Sequence, residues 1–385
     1  MQLCEGLVRG RLSRREFVTR ALVLGAGLSA IGTVLMACKR NKDDPPQTTS
    51  GTTPAGSQPD QKKPTEPAPL EKELRIYNWS DYIAEDTIPN FQKEFGVEVI
   101  YDTYESNEEL LAKLQAGASG YDLVVPSSYV VPAMQALGLL EKLDKTLLPL
   151  LGNIAPILTN LPFDPDREYT VPWQWGITGI AYRKDKVDAP VDSWGIFHNQ
   201  KYAGKMTQED DMRDVIGAWL RYRGKSSNST DPADLEQVKK DALLAKKYLR
   251  SYVSAPVKGQ LISGDVWIAQ LWNGDTAQAR AEQPAIEFTI PKEGGILLVD
   301  GLVIPKGAPH KRAAHAFMNY ILRPEVGAAI SDFTGYGSPN SKALPLMKNP
   351  VPFPSEDERK LLEFQEDLGE HTELWDRIWT EIKAA

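Results

Sequence analysis

The sequence predicts an α/β protein, and three observations carry that expectation. From residue 73 onward, short apolar runs alternate with amphipathic helical stretches, the order that builds a parallel sheet flanked by helices. Two of the strand-like runs, "IYNWSDY" and "DLVVPSSY", end alike, with Ser and Tyr at the rim. The chain is also long enough for two ordinary domains plus an N-terminal extension, with 385 residues, 42% hydrophobic and 25% charged.

The extension comes first. Arg9, Arg11, Arg14, Arg15 and Arg20 precede the uncharged "ALVLGAGLSAIGTVLMA", and Cys38 follows. Residues 1–37 therefore read as an export signal. Within them "SRREFV" is similar to a twin-arginine signal, and "LMAC" to a bacterial lipobox in which Cys38 becomes the lipidated first residue. The alternative is an uncleaved membrane anchor, but both readings place the globular part outside the cytoplasm. Residues 39–72 are rich in Pro, Thr, Ser, Gln and Lys and nearly free of large apolar side chains, so they cannot offset their ordering entropy by burial. Together with Cys38 they form a tether, 38–72, expected to be disordered.

The body then reads as "ELRIYNW" strand, 85–95 helix, "VEVIYDTY" strand, "NEELLAKLQAG" helix, "YDLVVPS" buried strand and "YVVPAMQALG" helix. A second α/β block starts near "YTVPWQWGITGIAYR" and continues through the helix "DMRDVIGAWLRYRG", a long polar helix from 231 to about 251, and the strand "VWIAQLW". "AIEFTIPKEGGILLVDGLVIP" reads as a hairpin or two crossing strands with a turn at Glu293, Gly294 and Gly295. The remainder, from His310, is helical with a break at "TGYGSPN".

The charge balance excludes some functions. A net charge of -8 disfavours broad attraction to nucleic acid or to an anionic bilayer, and the signal carries five Arg and two Glu, so the exported part is more acidic at -11. A cationic partner suits that sign. Cys4 leaves with the signal and Cys38 would carry lipid, so cysteine chemistry is excluded. The four His have no metal-ligand spacing, and His310 and His315 flank a helix start at positions expected to be solvated. No metal and no cofactor are expected.

Aromatics stand beside turn-forming residues at Trp79, Tyr82, Tyr129, Trp173, Trp175, Trp272 and Tyr336, which places them in loops. Acids accompany them at Asp81, Asp211, Asp214 and Asp300. Asp300 interrupts the apolar "ILLVDGLVIP", where a lone carboxylate is costly to bury unless it meets a cation or several donors. Asp211 and Asp214 fall on one face at a helix start; capping and ligand binding are both open readings of that pair. Carboxylates among aromatic rings suit an organic cation, each cation–π contact contributing ~0.5–2 kcal/mol.

The motifs "RIYNWSDYI", "VIYDTYESNEELLAKL", "YDLVVPSSY", "PFDPDREYTVPWQWGITGIAY", "IPKEGG", "VDGLVIP" and "NYILRPEV" together resemble the periplasmic spermidine/putrescine-binding proteins, the receptors of polyamine ABC importers. The resemblance runs from about Leu74 to the C-terminus. It implies a two-lobed type II periplasmic-binding-protein fold, each lobe a sheet flanked by helices, joined by hinge crossover strands. Lobe 1 would comprise 73–176 and 299–344, and lobe 2 would comprise 177–298 and 345–385. It also implies a polyamine ligand in the cleft and ABC permease subunits as partners. The membrane would be engaged only through the N-terminal lipid, and there would be no nucleic acid.

Position by position, the resemblance makes Trp79, Ser80, Asp81, Tyr82, Ser127 and Tyr129 contacts in the first block. In the second, Asp211 and Asp214 become ammonium ligands and Trp272 a ring along the methylene chain. Asp300 becomes the amine-binding acid near the hinge, with Tyr336 and Gln365 as further contacts. Where the family commonly has a large aromatic, two residues before Asp300, this chain has Leu298. "YNWSDYIA" is closer to a putrescine-preferring branch, while "PSSY" and Gln365 are closer to a spermidine-preferring one. The enzyme alternative pairs Asp211 with Asp214, or Asp81 with Asp300, as acid and base of a glycoside hydrolase with aromatic sugar platforms. No activated nucleophile motif accompanies it, and a non-catalytic receptor is expected.

Overall fold

The computed structural model describes residues 69–117, 120–254, 256–351 and 353–385. The expected signal, Cys38 and the tether as far as residue 68 lie outside them. The tether's last residues are tied to the body: Leu70 packs on a core cluster, Glu71 accepts from the Ala313 N–H at 2.8 Å, and the Lys72 carbonyl accepts from the Glu98 N–H at 2.8 Å.

The first block follows the expected alternation: β1 (Glu73–Trp79), α1 (Thr87–Phe95), β2 (Glu98–Tyr104), α2 (Asn107–Gln115) and β3 (Leu123–Val124). The strands pair in parallel in the order β2-β1-β3. α2 begins where Ser106 accepts from the Glu109 N–H, a side-chain cap that satisfies one free amide of the first turn. The helix expected over 129–138 shortens to a 3-10 turn followed by α3 (Val131–Ala136). β4 (Leu140–Glu141) lies beyond it.

The second sheet is built on β5 (Val171–Arg183), which is buried almost throughout. Along the chain follow β6 (Met206–Gln208), α4 (Met212–Tyr222), α5 (Pro232–Lys246), β7 (Leu249–Tyr252), α6 (Val257–Ser263), β8 (Ile268–Trp272), α7 (Asn273–Glu282) and β9 (Ile286–Thr289). Then come β10 (Gly295–Leu302), β11 (Ile304–Pro305), α8 (Lys311–Ile321), α9 (Pro324–Thr334), α10 (Glu356–Lys360), β12 (Leu362–Phe364) and α11 (Thr372–Ala384). The sheet order is β12-β10-β5-β8-β6-β7 with β9 also on β5, while β4 and β11 form a separate pair.

Four expectations give way here. Trp173 and Trp175 are not loop residues: they sit within β5 at 3% and 2% exposure, their side chains in the core. The helix from 231 ends at Lys246, because Leu249, Ser251 and Tyr252 pair with β6, and tertiary pairing overrides local helical pattern. Of the two readings of "AIEFTIPKEGGILLVDGLVIP", the hairpin is the one that fails, since β9 and β10 each pair antiparallel with β5. His315 is buried, accepting from the Asp144 N–H at 2.9 Å through Nε2 while Nδ1 faces the Lys311 carbonyl.

Two strands serve both cores. Val171, Trp173, Trp175 and Ile177 of β5 belong to one cluster with Leu74, Ile76 and Phe317, whereas Ile180 belongs to another with Trp219, Leu235 and Trp375. On β10, Leu297 and Val299 join the first cluster, while Ile296 reaches Gly217 of α4. The end of β10 then reaches the first block through bridges between Asp300 and Ser127 and between Val303 and Val124.

Candidate functional site

One cavity of about 440 Å³ is lined by all twelve residues that the resemblance marks as contacts, and not by Trp173 or Trp175. It opens where the strands end, as ligand sites in α/β sheets do. Trp79 ends β1, with Ser80, Asp81 and Tyr82 in the turn that follows; Ser127 and Tyr129 follow β3. Asp211 and Asp214 stand at the start of α4, Trp272 ends β8, Asp300 lies on β10, and Tyr336 and Gln365 follow α9 and β12. Among the described residues nine carboxylates line this space against three basic side chains, so its field favours a cation.

Asp300 is 5% exposed. Its Oδ2 accepts from the Tyr82 hydroxyl at 2.8 Å. Ser127 faces it across the β-bridge, but no donor among the described residues completes a hydrogen bond to Oδ1. Burial pushes the Asp300 pKa up to about 6, against the opposing effects of Tyr82 and Ser127. Tyr82 in turn meets the Tyr336 ring edge-on at 4.9 Å. Tyr336 follows Gly335, the left-handed C-cap of α9, and its ring lies over Gly274, where a β-carbon would run into it.

The Asp211–Asp214 pair resolves into two roles. Asp211 is the N-cap of α4, accepting from the Asp214 N–H at 2.8 Å. The Asp214 carboxylate is a hub: Oδ2 accepts from the Trp272 indole at 2.9 Å, and Oδ1 from Gln365 at 3.0 Å and Thr178 at 3.1 Å. Two other expected contacts are thus anchored on it. Burial, then the Asp211 charge, pushes the Asp214 pKa up to about 7, while burial raises that of Asp211. Behind this wall Glu209 is fully buried, neither oxygen has a hydrogen-bond partner among the described residues, and burial holds its pKa well above the usual carboxylate range.

The remaining expected residues are held as follows. The Trp79 indole donates to the Val125 carbonyl at 2.9 Å, and Ser80 to Glu105 at 2.7 Å. Asn107, the first residue of α2, accepts from the Ser127 N–H and donates to the Tyr129 hydroxyl, fixing both. Asp81 is in the left-handed region at φ 53, a conformation that Asp tolerates better than most residues and that occurs often at functional sites.

Sequence reasoning missed Arg213, Asp275 and Lys258. Arg213 is 3% exposed, with its guanidinium between the rings of Tyr129 at 4.8 Å and Trp375 at 5.0 Å. Asp275 stands three residues after Trp272, one helical turn on, and that spacing could have revealed it. Lys258 pairs with Asp81 at 3.1 Å and with Asp275 at 3.5 Å; no local pattern in "SAPVKG" signals this. Leu298 lines the cavity because residues two apart on β10 share a face, so the wall beside Asp300 is aliphatic.

Residues 87–355 match the family of bacterial extracellular solute-binding proteins. The putrescine-binding periplasmic protein PotF of Escherichia coli K12 is 38% identical over 340 residues, covering 82% of this chain and 92% of that one. The spermidine/putrescine-binding periplasmic protein of the same organism is 36% identical over 318 residues, covering 81% and 91%. Among solved structures, a putative spermidine/putrescine ABC transporter protein from Listeria monocytogenes superposes with a TM-score of 0.78 at 32% identity, covering 81% of this chain and 99% of that one.

Proposed function

The chain belongs to the family of bacterial extracellular solute-binding proteins, and from that premise we propose that it is an exported receptor that binds a polyamine, putrescine or spermidine, in this cleft and delivers it to an ABC permease. Its fold is the type II periplasmic-binding-protein class. The observation that carries the ligand reading is Asp300: a buried carboxylate with one oxygen unpaired among the described residues, walled by Tyr82 and Tyr336, in a cavity dominated by acids. An ammonium there would replace lost hydration with charge-assisted hydrogen bonds, and the rings would cover methylene groups.

In this reading Asp81, Asp211, Asp214 and Asp300 supply charge, and Trp79, Tyr82, Tyr129, Trp272 and Tyr336 supply ring surface. Ser80, Ser127 and Gln365 supply polar contacts. The ligand brings the walls together about β5 and β10, which serve both cores, with lobes of 73–176 plus 299–344 and 177–298 plus 345–385. Closure is driven only by contacts that the ligand gains in the closed state. Cys38 would carry the lipid that anchors the receptor to the outer face of a bacterial membrane. The family is one of solute-binding proteins of transporters, which favours the receptor reading over the carboxylate-pair hydrolase.

Isothermal titration of the exported part with putrescine and with spermidine tests the proposal, with a neutral oligosaccharide as control. Saturable one-to-one binding of a polyamine without turnover is expected. Heat only from the sugar, or product formation from it, would overturn the reading.

A further inference from the structure

The Lys258 ammonium, on α6, donates to Gln278 Oε1 at 3.0 Å and to Asp81 Oδ2 at 3.1 Å, and forms an ion pair with Asp275 Oδ1 at 3.5 Å. Asp81 belongs to the first block, just beyond β1, whereas Asp275 and Gln278 lie on α7 of the second. Gln278 is oriented for this, because its amide nitrogen donates to the Thr334 carbonyl at 2.7 Å and so turns its oxygen toward Lys258. Two carboxylates and a fixed amide oxygen form an ammonium subsite. The protein's own side chain fills it.

We infer that Lys258 is a specificity-determining residue, a tethered ammonium that fills the amine subsite of Asp81, Asp275 and Gln278 and so selects diamines over triamines. The inference rests on the polyamine reading of the cleft. A ligand ammonium entering this subsite must displace a group that is covalently held beside it, and a tethered competitor acts at a high effective concentration. Entering without displacement would set two like charges within a few ångströms of each other in a partly buried site. With Asp81 held by Lys258, its charge reaches a ligand only as part of the cavity's field, and Asp300 and the Asp211–Asp214 pair remain as direct partners for a ligand's amines, enough for a diamine. Burial alone would lower the Lys258 pKa, but the Asp275 and Asp81 carboxylates outweigh it and raise it, so the side chain stays charged.

The test is titration of putrescine and spermidine at pH 8 into wild type, Lys258→Met, Lys258→Gln and Lys258→Arg. Gln keeps a polar head on the stem and guards against loss of folding. The expected result is that the ratio of spermidine Kd to putrescine Kd falls at least tenfold in the Met and Gln variants and stays near wild type in Arg. If Lys258 merely latches the walls together, both affinities change alike, and a ratio that falls by less than tenfold overturns the inference while leaving the polyamine reading intact. Binding of neither amine by any of the four proteins removes the polyamine reading and this inference with it.

Discussion

Asp300 and Asp214 are both buried carboxylates lining the same cavity, yet they differ in how much of their hydrogen-bonding capacity the protein itself uses. Asp214 has both oxygens engaged, by Trp272 on one side and by Gln365 and Thr178 on the other. Asp300 has one oxygen bonded to Tyr82 and the other without a partner among the described residues. A saturated carboxylate is a preorganised support that holds its ring and amide in place, whereas an unsaturated one carries a desolvation cost that a cationic ligand can relieve. On the polyamine reading, Asp300 is therefore the acid expected to gain most from an ammonium, and Asp214 the one expected to hold the wall around it.

Asp300→Asn gives the largest expected effect. It keeps the shape and removes the charge, and polyamine affinity should fall about a hundredfold, ~2.7 kcal/mol. Calorimetry showing unchanged affinity would dissolve the contrast between the two acids. Next is pH. Both carboxyls have pKa values raised by burial, to about 6 for Asp300 and about 7 for Asp214, so each holds its proton below its value and must ionise to meet an ammonium. Affinity should therefore be full at alkaline pH and drop more than tenfold between about pH 7.5 and 5.5, with protons released on binding. In Asp214→Asn the drop should shrink to about fourfold, the part due to Asp300 alone. Titrations in buffers of different ionisation enthalpy read both quantities, and a flat profile contradicts the shifts.

Gly274→Ala probes the Asp300 side indirectly. The added methyl runs into the Tyr336 ring, which braces Tyr82, the donor to Asp300, and affinity should fall roughly fivefold, about 1 kcal/mol. An unmoved Tyr336 in a crystal structure of the variant would show that the ring does not depend on the glycine. The smallest effect is expected from Leu298→Phe, which adds a ring on the cavity face beside Asp300 and should tighten binding about threefold, within the range of one exposed cation–π contact. Weaker binding would mean that the leucine is needed for space.

The first block was legible because its signals are local. Short apolar runs, Ser106 before "NEELLAKL" and Gly96 after "NFQKEF" specify β1, α1, β2 and α2 within a residue or two. The second sheet was less so. Trp173 and Trp175 resemble loop aromatics because Pro172 and Gly176 flank them, yet β10 pairs along that stretch and buries both. β9 and β10 look like a hairpin because a Gly-Gly turn joins them, but β5 pairs with each. Non-local strand pairing leaves little trace in local pattern.

The same division holds for the site. The residue types and their neighbours in sequence made Asp81, Asp300, Trp272 and Tyr336 stand out, because a carboxylate in an apolar run or among rings, and a ring beside turn-forming residues, are anomalous where they stand. Which of those acids is saturated, which ring faces Arg213 and which ammonium subsite Lys258 fills were decided only when elements far apart in the chain came together: Tyr82 lies 218 residues from Asp300, and Asp81 lies 177 from Lys258. A hydrogen bond is set by distance and direction in space, and sequence spacing carries that information only within a helical turn or along one strand.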